Sequence, residues 1–160
     1  MTTFTATRAA ATFPVSKFSG SGVLQCAYGT YEVATNPVAA DVYEMCRVPA
    51  GAVVVGGWLY GDDLDTNATE TLDLDIGWAG NGVEAADPDG FGNLGTLTGD
   101  AFATGNVALV AGLMIPLQGV LLTTGPQAFS AETVIQLTTI TTAGTGGTGT
   151  LSLVVYYVVP

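Results

Sequence analysis

The sequence contains no histidine and almost no basic residues: three Lys and Arg stand against fourteen Asp and Glu, for a formal charge of −11. Without histidine, a serine or cysteine triad of the usual kind lacks its general base and is excluded. With Arg8, Lys17 and Arg47 as the only cations, no basic face can form, so nucleic-acid binding by counterion release is excluded too. Anionic membranes are disfavoured on the same ground. Cysteine is equally scarce. Cys26 and Cys46 lack a CxxC spacing, and a zinc site built on them would have to be completed by carboxylates, a poor tetrahedral set. Both are expected to be free and buried, as small apolar fillers, and no disulfide is expected without a secretory signal. The opening MTTFTATRAAATFPVSKF has no apolar core of signal-peptide length, and Pro14 interrupts what there is. It is expected to be an extended arm, Met1 to Ser21, ahead of one domain over residues 22–160. The most apolar window, Val107 to Leu122, is too short for a bilayer and carries Pro116, Gln118 and Gly119.

What the chain does have is apolar strand-forming sequence. Apolar residues make up 48% of it, charged residues 11%, and there are 22 glycines. At 160 residues it suits a single domain that buries roughly 70% of its unfolded surface. The stretch Asp41 to Gly80 organises the rest. A strand from Val42 to Val48 stops at Pro49-Ala50-Gly51, where proline removes a ladder donor. A second runs from Val53 to Tyr60 and ends at the acidic turn Asp62, Asp63, Asp65. A third, Thr69 to Trp78, sets Leu72, Leu74, Ile76 and Trp78 on one face and Thr71, Asp73 and Asp75 on the other, the period of a strand packed on one side and wet on the other. The three suggest an antiparallel meander.

Strands continue elsewhere. Val23 to Val33 reads as a strand or hairpin with Gly29 as its break. Val107 to Ala111, Met114 to Leu117 and Val120 to Thr124 are short apolar runs. Glu132 to Thr142 and Thr150 to Val159 read as a final pair joined by a flexible hairpin loop, Ala143 to Gly149. Asn81 to Asp100 is expected to be a long Gly, Asp and Asn-rich loop, with Asp100 capping a short helix over Ala101 to Thr104. About eight to ten short strands with no helical period indicate an all-β fold. A single-domain, two-sheet jelly-roll-like β-sandwich of antiparallel strands closes its edges best. An immunoglobulin-like sandwich is second, because the Cys26–Cys46 spacing is too short for its inter-sheet bridge.

Several of these segments carry a family pattern: Val48-Pro49-Ala50-Gly51-Ala52, then Val54-Val55-Gly56-Gly57, then Thr71 to Gly77, and finally Gly149 to Val158. Over roughly residues 20 to 160 the chain resembles small tailed-phage capsid decoration (cement) proteins with a jelly-roll fold. The resemblance implies a non-enzymatic virion structural protein, often a homotrimer, bound to the major capsid protein on the outer capsid surface. It carries no catalytic residues over to this chain. Alternatives are a carbohydrate-binding jelly-roll module and a receptor-binding or tail-associated virion protein, since one fold hosts several functions.

Two sets of residues stand out as candidate sites. Phe4, Phe13 and Phe18 in the arm are candidate anchors for capsid or subunit contact. Asp87, Asp89 and Asn93, in the run Asp87-Pro88-Asp89-Gly90-Phe91-Gly92-Asn93, resemble the first half of a calcium loop, although the twelfth position holds Thr98 where a bidentate glutamate is needed; a solvated turn is the plainer reading. Asp62, Asp63, Asp65, Asp73 and Asp75 read as a solvated turn and strand face. Glu32, Glu44, Glu70, Glu84 and Glu132 show no spacing that would pair two of them as a glycosidase needs. Trp58 and Trp78 are expected in the core rather than as sugar platforms.

Overall fold

A computed structural model describes residues 2–7, 9–12, 22–67, 70–96, 107–109 and 112–160. In chain order the elements are β1 (Thr3–Thr5), β2 (Gln25–Val33), β3 (Val42–Val48), β4 (Val53–Gly61), β5 (Asp73–Trp78), β6 (Asp87–Thr96), β7 (Val107–Leu109), β8 (Gly112–Pro116), α1 (Val120–Thr123), β9 (Gln127–Ala128), β10 (Thr133–Thr141) and β11 (Gly149–Val158). They form two sheets, β1-β3-β10-β5-β6 and β2-β11-β4-β8-β7, with β9 added beside the start of β4. The long strands alternate between the sheets, β2 in one, β3 in the other, β4 back in the first, and the late strands β10 and β11 insert between the early ones. This is the interleaving of a jelly-roll sandwich.

The core lies between the sheets because each long strand turns an apolar side inward. In β11 the inward set is Leu151, Leu153, Val155 and Tyr157, all buried. Leu74, Ile76 and Trp78 face it from β5, with Leu72 just ahead of that strand, and Ile135 and Leu137 come from β10. The Trp78 ring packs on Phe91 and Phe129 at centroid distances of 5.0 and 5.3 Å, and its Nε1 donates to the Ala85 carbonyl at 3.0 Å. The indole therefore buries its apolar body without orphaning its donor.

Several pairings differ from the sequence-based expectations. Residues 42–78 do not form a meander. β3 and β5 are in one sheet with β10 between them, while β4 belongs to the other. The turn after Pro49, closed by the Ala52 N–H on the Pro49 carbonyl at 3.1 Å, carries the chain across the sandwich rather than back along the same sheet. For the same reason Ala143–Gly149 is not a hairpin: it crosses from β10 to β11 in the opposite sheet. Gly29 does not break β2. It sits mid-strand, where a Cβ would lie 1.8 Å from the Met45 carbonyl oxygen, so glycine permits two strands of different sheets to approach backbone to backbone. Val120–Thr123 is a short helix, not a strand. Cys46 is buried as expected, but Cys26 is exposed on the outer side of β2; both are free. The expected helix over 101–104 lies outside the described residues.

Candidate functional site

Residues 81–86 form a turn, as expected, but from Asp87 to Thr96 the expected loop is strand β6, and residues 97–100 lie outside the described residues. β6 is pinned to β5 through Asp87 opposite Trp78, Gly92 opposite Ile76 and Asn93 opposite Asp75, and Phe91 in its middle is fully buried. A side chain at Gly90 would have its Cβ 2.1 Å from the Trp78 ring. The glycine of the Asp-Gly pair therefore makes room for an indole rather than a turn. Within β6, Asp87 and Asp89 come together: burial, and then a hydrogen bond and like charge from Asp89, raise the Asp87 pKa. Asn93 is set apart, opposite a β5 residue three positions from the partner of Asp87, on the order of 10 Å along an extended strand. No group of three or more His, Cys, Asp or Glu side chains converges among the described residues.

In the acidic turn after β4, Asp62 and Asp63 are exposed as expected, but Asp65 is a structural hub, which contradicts its reading as part of a solvated cluster. Asp65 is 2% exposed. Its Oδ2 accepts from the backbone N–H groups of Thr71 (2.7 Å), Leu72 (3.0 Å) and Gly144 (2.9 Å), and its Oδ1 from those of Thr145 (3.0 Å) and Asn67 (3.3 Å). Burial alone would raise its pKa, but the N–H donors outweigh it and hold the carboxyl well below the usual carboxylate range. One side chain thus ties the entry to β5 to the β10–β11 crossover. Asp75 is likewise buried, at 5% exposure, within the sheet rather than on a wet face.

Four of the glutamates engage neighbouring groups of the protein. Glu132 pairs with Arg47 at 2.6 Å. Glu44 accepts from the Thr5 hydroxyl at 3.0 Å, Glu32 from that of Thr150 at 2.7 Å, and Glu84 from the Ser130 N–H at 2.8 Å. These four engage different partners.

Of the arm residues, Phe4 is described, and Phe13 and Phe18 lie outside the described residues. β1 adds to the edge of β3 in parallel, Thr3 opposite Val42 and Thr5 opposite Glu44. The Phe4 ring stacks on Tyr43 at 5.3 Å and meets Tyr31 at 5.7 Å. Beyond β1, Ala6 and Ala9 are buried, and Arg47 Nε donates to the Ala9 carbonyl at 2.7 Å. The start of the arm is therefore part of the sandwich, and Phe4 anchors it there.

The outer face of the sheet β2-β11-β4-β8 offers a different kind of surface. Trp58 and Tyr60 point out from β4, Val154 and Tyr156 from β11, and Met114 and Pro116 from β8. Trp58 is thus only half-buried and not a core residue. Period-2 alternation in β11 could have flagged Val154 and Tyr156 from sequence, because they fall between the inward Leu153, Val155 and Tyr157.

No protein-family model matches the sequence, and no curated protein matches it significantly. Solved structures do match the fold. A chain in the capsid of Ralstonia phage GP4 aligns with a TM-score of 0.76 at 19% identity, covering 99% of this chain and 98% of that one. A chain in the cyanophage Pam1 capsid asymmetric unit aligns at 0.66 with 24% identity, covering 95% and 96%. A chain in the acidic stable capsid of Helicobacter pylori bacteriophage KHP30 aligns at 0.51 with 14% identity, covering 88% and 92%. At these identities the likeness is one of fold.

Proposed function

We propose that this protein is a non-enzymatic structural protein of a phage head, and that it decorates the outside of an assembled capsid and stabilises it. The observation that carries the reading is the end-to-end likeness to chains in three phage capsids, with 88% or more of this chain and 92% or more of each neighbour aligned. The likeness is thus to whole chains of about this length, not to one module of a larger protein. The site chemistry agrees with it: Glu32, Glu44, Glu84 and Glu132 are engaged by neighbouring protein groups, Asp65 is buried as a tie, and what faces outward from the β2-β11-β4-β8 sheet is an aromatic contact surface.

In this reading the unit that attaches is a homotrimer and the partner is the major capsid protein. Cement action needs contacts that bridge neighbouring capsid subunits. Each contact can be weak, because several made by one oligomer act at high effective concentration. The test is co-sedimentation of the purified protein with decoration-free heads and, separately, with unassembled capsid subunits. Attachment to heads alone is the expected result, with a rise in the temperature at which the heads disrupt. Failure to attach to any head would sink the reading, and equal binding to free subunits would remove the bridging mechanism. Phe13→Ala with Phe18→Ala asks whether the arm contributes: weakened attachment by a folded variant is expected. A glycan array with the same protein, expected blank, separates this reading from a carbohydrate-binding module.

A further inference from the structure

Asp41 and Asp65 are buried to almost the same depth, yet the fold treats them very differently. Asp65 accepts five backbone N–H groups among the described residues. Asp41, 3% exposed, accepts one, from Val38 to its Oδ2 at 3.2 Å; its Oδ1 is shielded from solvent and has no hydrogen-bond partner. Among the described residues no cationic side chain answers it. Arg47 lies six residues further along the chain, about 20 Å away on an extended strand, and is engaged there by Ala9 and Glu132. A buried carboxylate is ordinarily paired or fully hydrogen-bonded, because an unmet charge in a low-dielectric interior is strongly destabilising.

Other oxygens gather at the same place. Asp41 stands opposite Thr139 of β10: the Thr139 N–H donates to the Asp41 carbonyl at 2.8 Å, continuing the ladder that sets Thr138 against Val42 and Leu137 against Tyr43. Residues so opposed project their side chains to one face, and for Tyr43 and Leu137 that face is the core. Thr139 is 1% exposed, and its Oγ1 makes no hydrogen bond of normal geometry. Tyr43, diagonal to Thr139, brings a third oxygen: burial, and then the Asp41 charge, push its phenol up to about 12. The backbone is bent to hold this arrangement. Val38 to Asp41 form a tight turn, closed by the Asp41 N–H on the Val38 carbonyl at 3.0 Å. Ala40, its third residue, has φ 69°, where glycine is the ordinary occupant. Val38, Ala39 and Ala40 are exposed, so the unmet oxygen of Asp41 lies just beneath the surface.

We propose that Asp41 Oδ1, Thr139 Oγ1 and the Tyr43 hydroxyl bind a monovalent alkali cation beneath the 38–41 turn. Oxygen donors without nitrogen or sulfur suit hard cations. Calcium sites gather several carboxylates, whereas here a single negative charge needs offsetting, and no three His, Cys, Asp or Glu side chains converge among the described residues. A water molecule has the hydrogen bonds to join the three oxygens, but it leaves the charge of Asp41 unmet; a cation of one charge answers both needs. The site needs no capsid and lies apart from the outward aromatic face, so it stands or falls separately from the decoration reading.

The experiment is a series of thermal melts of the full chain at constant total chloride, with sodium replacing choline and parallel series in potassium, calcium and magnesium. Expected is a saturable rise in Tm, about 3–5 °C once sodium or potassium reaches ten times its dissociation constant. The sodium NMR line should broaden when the protein is added. Asp41→Asn keeps the shape of the side chain without its charge; it should lose the Tm response and leave the sodium line sharp. Thr139→Val, also close in shape, should need several-fold more of the ion for the same rise. Circular dichroism checks that both variants fold, and if Asp41→Asn does not, Thr139→Val and the wild-type sodium line carry the test. A Tm indifferent to sodium and potassium, a response to calcium or magnesium alone, or an alkali response that the folded variants keep unchanged would each overturn the proposal.

Discussion

Replacing Asp65 by Asn changes one oxygen to an amide and should cost more than most substitutions in the core. Among the described residues the wild-type carboxylate accepts five backbone N–H groups, three at Oδ2 and two at Oδ1. Asparagine keeps one oxygen. Its best orientation serves Thr71, Leu72 and Gly144 and turns its NH₂ toward the N–H groups of Asn67 and Thr145, donor against donor. Two donors at a buried carboxyl are then left unmet, at about 1–3 kcal/mol each, and the three surviving bonds lose their charge-assisted strength. A loss of about 4 kcal/mol follows, or roughly 10 °C in Tm for a chain of this size. Asp63→Asn is the control: Asp63 is exposed and, among the described residues, its Oδ1 accepts only the Asp65 N–H, at 3.1 Å, so under about 1 kcal/mol is expected. The pH dependence gives a second handle. The folded-state pKa of Asp65 is depressed, so its stabilisation is complete above the unfolded value, about 3.9, and is lost as pH falls through the folded one. Urea melts of both proteins should show a constant gap from neutral pH down to about pH 5, narrowing only below about pH 4. A gap under about 1 kcal/mol at neutral pH, or one that does not narrow in acid, would refute the account of Asp65 as a charged tie.

Three further outcomes follow from the packing. Trp78→Ala should cost about 3–5 kcal/mol in a denaturant melt, the range for a large aromatic lost from a core; the Phe91 and Phe129 rings and the space at Gly90 are all fitted to this indole. Gly29→Ala should destabilise by more than the few tenths typical of an exposed strand position, because its Cβ has no room beside the Met45 carbonyl; a stability equal to wild type would place β2 wrongly. Cys26 should react with a disulfide reagent in the native protein and Cys46 only on unfolding, one thiol and then two. Partial desolvation of the thiol by its neighbours raises the Cys26 pKa, so the first step should quicken as pH rises past neutral.

Strand positions and faces could be read from the sequence where side-chain alternation is strict. Val42–Val48 has the same ends in the sequence reading and in the structure, and the inward set of β11 is the alternating set Leu151 to Tyr157. Partners could not be read, because period 2 says which way a side chain points and nothing about which strand lies alongside. The meander and the last hairpin were expected because neighbours in sequence usually pair. In a jelly roll the chain changes sheet at most turns, so β3 and β5 are separated by a strand that begins at residue 133.

The acidic residues show the opposite failure, one of composition taken for environment. Asp62, Asp63 and Asp65 look alike in sequence, yet Asp65 is buried and the other two are exposed. The difference arises from where five N–H groups converge, two of them from residues 144 and 145, nearly eighty positions downstream. Such long-range convergence leaves no local mark. Asp, Pro, Gly and Asn favour turns, so the run from Asp87 to Asn93 reads as a loop in sequence. The one signal to the contrary was Phe91, an aromatic in a polar stretch, and in the structure that ring anchors the strand to the core beside Trp78. A polar run interrupted by a single large aromatic is better read as an edge strand held by that residue: the burial of one ring, about 2–3 kcal/mol, exceeds the propensity differences of roughly 1 kcal/mol that argue for a loop.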